Sequence, residues 1–290
     1  MKYETISMYS SEHSVRKMCQ VLGLKESSYY QWQARLRRRL EKRDEEKAII
    51  EKIGEIFKAN KCVYGYRKMY NEMLKTGYSL SRYKVRKIMQ ENGFFPVVAT
   101  KYKPYKKGKS DGRYYDDKLK QNFTVDCLNA VWAGDITYIK TQLGYVYLAV
   151  VIDLYNREVI GYSISKDIDS VLVKAALGNA LLRRSNSDIA LIFHSDRGCQ
   201  YSSKSFQAML DENKIKGSMS RVACPYDNAC IESFFSSAKR ECIYRKDYES
   251  IDDVKKDLFE YIELFYNRKR IHASLGYLSP VEYRLAKMAA

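Results

Sequence analysis

Paired cysteines, proline, acidic residues and long apolar runs are all scarce in this 290-residue sequence. Its seven cysteines (Cys19, Cys62, Cys127, Cys199, Cys224, Cys230 and Cys242) are odd in number, widely scattered and never spaced as CxxC. A disulfide framework or a zinc site needs tighter grouping, and the first 120 residues add only His13 to Cys19 and Cys62. The thiols are read as reduced and mostly packing. The longest apolar stretch, Tyr145 to Ile152, falls far short of the roughly 20 residues that cross a bilayer. The start, MKYETISMYSSEH, lacks the apolar centre of a signal peptide. A cytoplasmic, nucleoid-associated protein with no membrane partner is expected. Only four prolines accompany 26 Tyr and 10 Phe, and that many aromatic groups exclude a solvated, disordered chain. At this length two or three domains are expected.

The acidic deficit is local. Residues 1–122 hold 29 Lys and Arg against 14 Asp and Glu, whereas residues 123–290 hold 22 against 21. A basic part joined to a neutral part predicts that the first holds a polyanion while the second acts on it.

The basic part divides further. Residues 14–33, SVRKMCQVLGLKESSYYQWQ, read as a short helix with Val15, Met18, Val21 and Leu22 on one face, a turn at Gly23, and a second helix that Ser27 can cap. This is a helix-turn-helix pattern. A long connecting helix over 34–60 follows, with Ile49, Ile53 and Ile56 at helical spacing and Arg35, Arg37, Arg38 and Arg39 crowding its start. Residues 61–96 repeat the hairpin. Tyr66, Met69, Tyr70, Met73 and Leu74 form one stripe, Val85, Ile88 and Met89 another, and Ser79 or Ser81 caps the second helix. On that helix Arg82, Lys84, Arg86 and Lys87 sit off the apolar stripe, the division of faces a helix needs to contact DNA. Residues 97–122 form a basic, Tyr-dotted linker suited to a phosphate backbone. Its Gly108-Lys109-Ser110 is not a nucleotide-binding loop, because Lys103 stands where that loop requires glycine.

From residue 123 onward the pattern is α/β. Runs 131–140, 144–153 and 158–165 are β-branched and aromatic, separated by short polar turns, and predict an antiparallel meander. A helix over 170–184, a strand over 189–196, a helix over 203–214, a short strand over 216–221, a helix over 228–242 capped by Asp227 or Asn228, and a helix from 252 to 266 complete a mixed-sheet domain over 123–290.

Three acids stand out. Asp135 is mid-strand between apolar neighbours, Asp196 closes a strand, and Glu232 lies in the first turn of a helix. Sixty residues separate the first two and 35 the last two. Taken singly, Asp196 reads as a turn residue and Glu232 as an answer to the helix dipole. Asp153 reads as a hairpin turn residue.

The blocks DITYIK, GYVYLAVVIDLYNREVIGYSIS, HSDRGCQYSS, PYDNACIESFFSSAKRE and YNRKRIHASLGYLSP resemble the signature of the second-frame (OrfB) transposases of bacterial insertion sequences, relatives of retroviral integrases with a DDE catalytic domain. The resemblance covers residues 62–285. It implies a ribonuclease-H-like core in which the Asp196 strand runs beside the Asp135 strand. It also implies catalytic roles for Asp135, Asp196 and Glu232, and a basic DNA contact at Lys239, seven residues after Glu232. His194 is a supporting residue for Asp196 or else a structural imidazole, and 267–272 either touch DNA or cap the last long helix. The sequence departs from retroviral integrases in having no His/His/Cys/Cys module at its N-terminus.

Moving a phosphodiester requires neutralising charge on the phosphoryl group, and a pair of divalent ions about 3.5–4 Å apart stabilises the entering and leaving oxygens. Three carboxylates repel one another without metal, and as hard oxygen ligands they favour Mg²⁺ or Mn²⁺. The expectation is two ions, with Asp135 shared and Asp196 and Glu232 each completing one site. Cleavage at transposon ends and strand transfer into target DNA both follow from the resemblance. So do partners: double-stranded DNA with terminal inverted repeats, further copies of this chain, and a separate helix-turn-helix product of an upstream frame. A nuclease of the same fold without joining activity, or a DNA-binding regulator with a dead fold, are the competing readings.

Overall fold

The structure, a computed structural model, describes residues 1–97, 114–119, 125–184, 189–221 and 228–289. Most of the expected basic linker, Asp227 and Cys224 lie outside the described residues. The six described cysteines are unpaired.

Helices α1 (Lys2–Met8) and α2 (Val15–Val21) pack against the start of α3 (Glu26–Ala59) around Ile6, Cys19 and Tyr29. Gly23, at φ +68°, provides the left-handed turn between α2 and α3. Two details differ from expectation. Val21 is 85% exposed, and Cys19 fills the core instead. Ser27 does not cap, because α3 already begins at Glu26 with Lys25 before it. The second hairpin helix and the connecting helix are one 34-residue rod. Residues 24–53 contain neither Gly nor Pro and are rich in Arg, Lys, Glu and Leu, so nothing interrupts the helix.

The second hairpin is α4 (Tyr66–Lys75) and α5 (Arg82–Glu91), the latter capped by the Ser81 hydroxyl accepting from the Lys84 N–H at 3.1 Å. Met69, Met73, Val85, Ile88 and Met89 are buried with Ile49, Ile53, Ile56 and Phe57 of α3. Leu74, expected in the stripe, is 43% exposed.

The sheet has five strands: β1 (Val131–Thr141), β2 (Gly144–Asp153), β3 (Val159–Ser165), β4 (Ile192–Ser195) and β5 (Lys216–Met219), in the order β3-β2-β1-β4-β5. β1, β2 and β3 are the antiparallel meander, while β4 and β5 add in parallel beside β1. α6 (Ser170–Arg183), α7 (Cys199–Ser202) and α8 (Lys204–Glu212) supply the core on one face, with Trp132, Phe193 and Phe206. α9 (Ala229–Glu241) and α10 (Ile251–Phe259) contribute to the core on the other. There Ile231, Phe234 and Ala238 meet Leu148 and Val150, and the same apolar cluster continues into α3, α4 and α5.

β4 is shorter than expected, and Asp196 follows its last residue. The 252–266 helix is α10 followed by a π-helical stretch, Glu260–Tyr266, whose wider turn sends Tyr261, Ile262, Phe265 and Tyr266 all inward. A final helix, α11 (Pro280–Met288), begins with a Ser279/Glu282 capping box. Among the described residues no helix is long and apolar enough to cross a membrane.

Candidate active site

Asp135 pairs across the ladder with Val150, so both point to the face that α9 covers. On the other side of β1, Ala133 pairs with His194 and Gly134 with Ser195 in parallel register. One residue further along, Asp196 leaves β4 next to Asp135. Strand alternation puts it on the same face as His194 and Ala133. The two acids, far apart in the chain, are thus brought together by strand pairing alone.

Their carboxylates are oriented by backbone. The Ile136 N–H donates to Asp135 Oδ1 at 2.8 Å, and the Gly198 N–H donates to Asp196 Oδ1 at 2.9 Å. Beneath them, on the opposite face, the Phe193 ring lies so close to Gly134 that a Cβ there would sit 2.4 Å from Cζ. Only glycine allows the ring to fill that place. Tyr201 packs edge-on against Phe206, with ring centroids 5.3 Å apart. Burial raises its phenol far above the ordinary tyrosine range, and the negative fields of Asp135 and Asp196 add to the effect. The charges of both acids therefore act on this one phenol.

Glu232 sits in the first turn of α9 and is exposed. It flanks the buried stripe of Ile231, Phe234 and Ala238. Two residues earlier, Cys230 packs on the Val131, Ala133 and Leu154 cluster, so the start of α9 lies over the acid-bearing face. Among the described residues no three His, Cys, Asp or Glu side chains are gathered closely enough to hold an ion. Strand pairing brings together Asp135 and Asp196, and Glu232 is carried by α9. Asn228 precedes α9 without a capping side-chain bond.

Lys239 is on the Glu232 side of α9, two helical turns on. Its ammonium lies over the Tyr138 ring, 5.3 Å from the centroid. Burial lowers its pKa, and the nearby Asp135 charge opposes that shift. His194 is fully buried, with Nδ1 2.9 Å from the Ser218 hydroxyl of β5. Asp153 is buried and accepts from the Asn129 N–H at 2.8 Å and the Tyr155 N–H at 2.9 Å. Burial pushes its carboxyl up to about 6 against those two bonds.

The four basic residues of α5 are not equivalent. The guanidinium groups of Arg82 and Arg86 lie over the Tyr70 and Tyr66 rings of α4, 5.2 and 5.7 Å from the centroids. Arg67 joins them, donating to the Tyr66 hydroxyl at 3.3 Å. Lys84 is half-buried, and Lys87 pairs with Glu91 at 3.7 Å. The exposed donors are thus fixed on a tyrosine ridge shared by two helices.

Sequence reasoning left open what residues 267–272 do. Asn267 bonds both the N–H and the C=O of Val159 at 2.9 Å, tying the π-helical stretch to β3. Arg270 forks onto Glu241, at the end of α9, through two bonds of 2.7 Å, and reaches the Ser237 hydroxyl at 3.0 Å. Burial alone would raise the Glu241 carboxyl, but Arg270 holds it below the usual range. Burial and the Arg270 charge depress the His272 imidazole to about 2, so it is neutral. The Tyr64 hydroxyl donates to the Lys269 carbonyl and accepts from the Ile271 N–H, both at 3.0 Å. The block is a brace between α9, the sheet and the second hairpin. The available signal was Glu241 itself, an acid in the last turn of a helix, where the dipole disfavours it.

Three family models match this chain: an HTH-like domain over residues 43–102, an Integrase core domain over 126–225, and a second Integrase core domain over 232–288. The chain is similar to Transposase InsF for insertion sequence IS3A of Escherichia coli (strain K12), with 37% identity over 290 residues and all of both chains. It is also similar to the Transposase for insertion sequence element IS904 of Lactococcus lactis subsp. lactis (strain IL1403), with 36% identity over 86% of this chain and 98% of that protein. Among solved structures, the HTLV-2 integrase catalytic core domain in complex with magnesium aligns over 53% of this chain and 95% of its own at 19% identity and TM-score 0.41. The catalytic domain of Mos1 mariner transposase aligns over 50% and 73% at 18% identity and TM-score 0.39. With 37% identity to the InsF transposase over the whole of both chains, an Integrase core domain match over the five-stranded mixed sheet and an HTH-like match ahead of it, the chain belongs to the IS3-type transposases of bacterial insertion sequences.

Proposed function

We propose that this transposase cuts DNA at the ends of its element and joins the liberated 3′-hydroxyl to target DNA, with Asp135, Asp196 and Glu232 as the catalytic acids. The observation that carries the reading is the parallel register of β1 and β4, which sets Asp196 beside Asp135 under the helix that bears Glu232. The donor set fits a divalent cation of the Mg²⁺ or Mn²⁺ type, since all three groups are hard carboxylate oxygens. Two ions are the number the reaction uses best; when bound, they stabilise negative charge on the phosphoryl, entering and leaving oxygens.

The chain's own residues then do the remaining work. The Ile136 and Gly198 N–H groups hold Asp135 and Asp196 in fixed orientation. Lys239 contacts a phosphate of the bound end. Arg82 and Arg86, with Lys84 and Lys87, hold the duplex through the 61–96 lobe, and His194 supports the end of β4. Units 1–60, 61–96, 97–122 and 123–290 divide binding from chemistry. The active assembly is a multimer of this chain on DNA, with room for an upstream-frame helix-turn-helix product.

Asp196→Asn tests the proposal. It preserves the Gly198 contact and removes the charge, so cleavage and strand transfer should both fall below detection while binding to an end duplex stays within about twofold. Wild-type strand transfer by this variant would overturn the assignment. Nicking without joining by the unaltered protein would reduce it to a nuclease.

A further inference from the structure

We propose that the start of α3 is a second DNA-contacting element, and that α3 acts as a strut that spaces it about one duplex turn from the 61–96 lobe. The inference rests on the DNA-binding reading of that lobe and deepens it, naming the residues of the 1–60 unit that make contact and the spacing between the two contacts.

The first 33 residues build a small core of their own around Ile6, Cys19 and Tyr29. At about 100° per residue, Ser27, Tyr30, Gln31, Ala34, Arg35 and Arg38 fall in one arc of α3, turned away from Tyr29 and Trp32, which face that core. All but Ala34 carry a hydrogen-bonding group, and Ser27, Tyr30, Gln31, Arg35 and Arg38 are exposed. No acidic residue occurs between Ser27 and Leu40, while four arginines do. An exposed helix start with Ser, Gln and Tyr donors followed by arginines is suited to base edges and then phosphates in a major groove.

The spacing supplies an independent argument. Tyr29, 1% exposed, belongs to the N-terminal core, and Ile53, 0% exposed, belongs to the core of the second lobe. Both lie on the same unbroken helix, 24 residues apart. At 1.5 Å per residue that is about 36 Å, and one turn of B-DNA is about 34–36 Å. Between them residues 34–48 are exposed throughout. The arginines crowd the start of this rod, whereas residues 41–47, EKRDEEK, are mixed in charge, so DNA contact is confined to the start of α3 and the middle of the helix serves as a spacer.

Hydroxyl-radical footprinting of the full-length protein on a duplex from the end of its own element tests this. Two protected patches about one turn apart are expected. The triple variant Gln31→Ala, Arg35→Ala, Arg38→Ala should erase one, and Arg82→Ala with Arg86→Ala the other. Loss of two phosphate contacts should make the slope of log affinity against log salt shallower by about 1.8. A seven-residue helical insertion within 41–47, with helicity verified by circular dichroism, should stop both patches from forming at the native spacing. Two unchanged patches in the triple variant would overturn the N-terminal contact. Unchanged spacing after the insertion would overturn the strut. If the triple variant alters self-association in place of protection, this face of α3 is a protein contact and the N-terminal DNA contact is overturned. An unaffected footprint in the Arg82/Arg86 variant would instead refute the lobe's own role.

Discussion

Replacing Arg270 with Met isolates the brace that holds α9. The Arg270 and Glu241 side chains are only 11% and 12% exposed, and Arg270 makes three charge-assisted bonds there. Without it, Glu241 remains buried with the Tyr261 hydroxyl donating at 2.8 Å. Breaking a buried pair by removing one partner costs about 3–5 kcal/mol, because the uncompensated charge stays in place. For a domain of this size each kcal/mol lowers Tm by about 2–4 °C, so a fall on the order of 10 °C is expected by calorimetry. Replacing both partners, as Glu241→Leu with Arg270→Met, should recover most of the loss, since an apolar pair of similar volume avoids the desolvation penalty. The exposed pair Lys47–Glu51, 3.9 Å apart, serves as a control whose removal should have no measurable effect. A Tm within about 2 °C of wild type for Arg270→Met would refute the reasoning. So would a double variant as unstable as the single one, because the damage would then lie outside the pair.

Two further outcomes follow from the same geometry. Asp153 has its carboxyl raised to about 6 in the fold, against about 4 unfolded. The folded state therefore binds the proton more tightly, and the stabilisation is fully present below pH 4 and lost as pH rises to 6. The stability difference between wild type and Asp153→Asn should fall by about 3 kcal/mol across that window, read from paired denaturant titrations; a flat difference would show that Asp153 does not titrate there. Gly134→Ala places a Cβ 2.4 Å from the Phe193 ring, an overpacking that costs about 1–3 kcal/mol. It should also lower cleavage, because Asp135 is the next residue. Partial restoration of both by adding Phe193→Leu is the expected check, and a fully active single variant would remove Gly134 from the account.

The first four strands were legible because each lies in a β-branched or aromatic run bounded by polar turns, whereas β5, Lys-Gly-Ser-Met, has no β-branched residue. Asp135 and Asp196 could be singled out because acids are out of place beside such runs. Their adjacency was not legible in the same way. It comes from the Gly134–Ser195 register, and that register depends on a ring, Phe193, fitting where one residue has no side chain. The unbroken α3 was present in the absence of Gly and Pro over 24–53, yet a helix-turn-helix pattern suggested a stop near residue 33. The Ser279-Pro280-Val281-Glu282 stretch carried a capping box and a proline at the first helical position, a local signal for α11 that needed no tertiary knowledge. The Arg270–Glu241 pair had no comparable local signature, because its partners are 29 residues apart and meet only once α9 crosses the sheet. Local rules therefore identify the acids, while long-range packing decides where they stand. Glu232 illustrates the difference: its helix is fixed at the far end by Arg270 and along its length by Ile231, Phe234 and Ala238, and Glu232 lies on the exposed side of that helix.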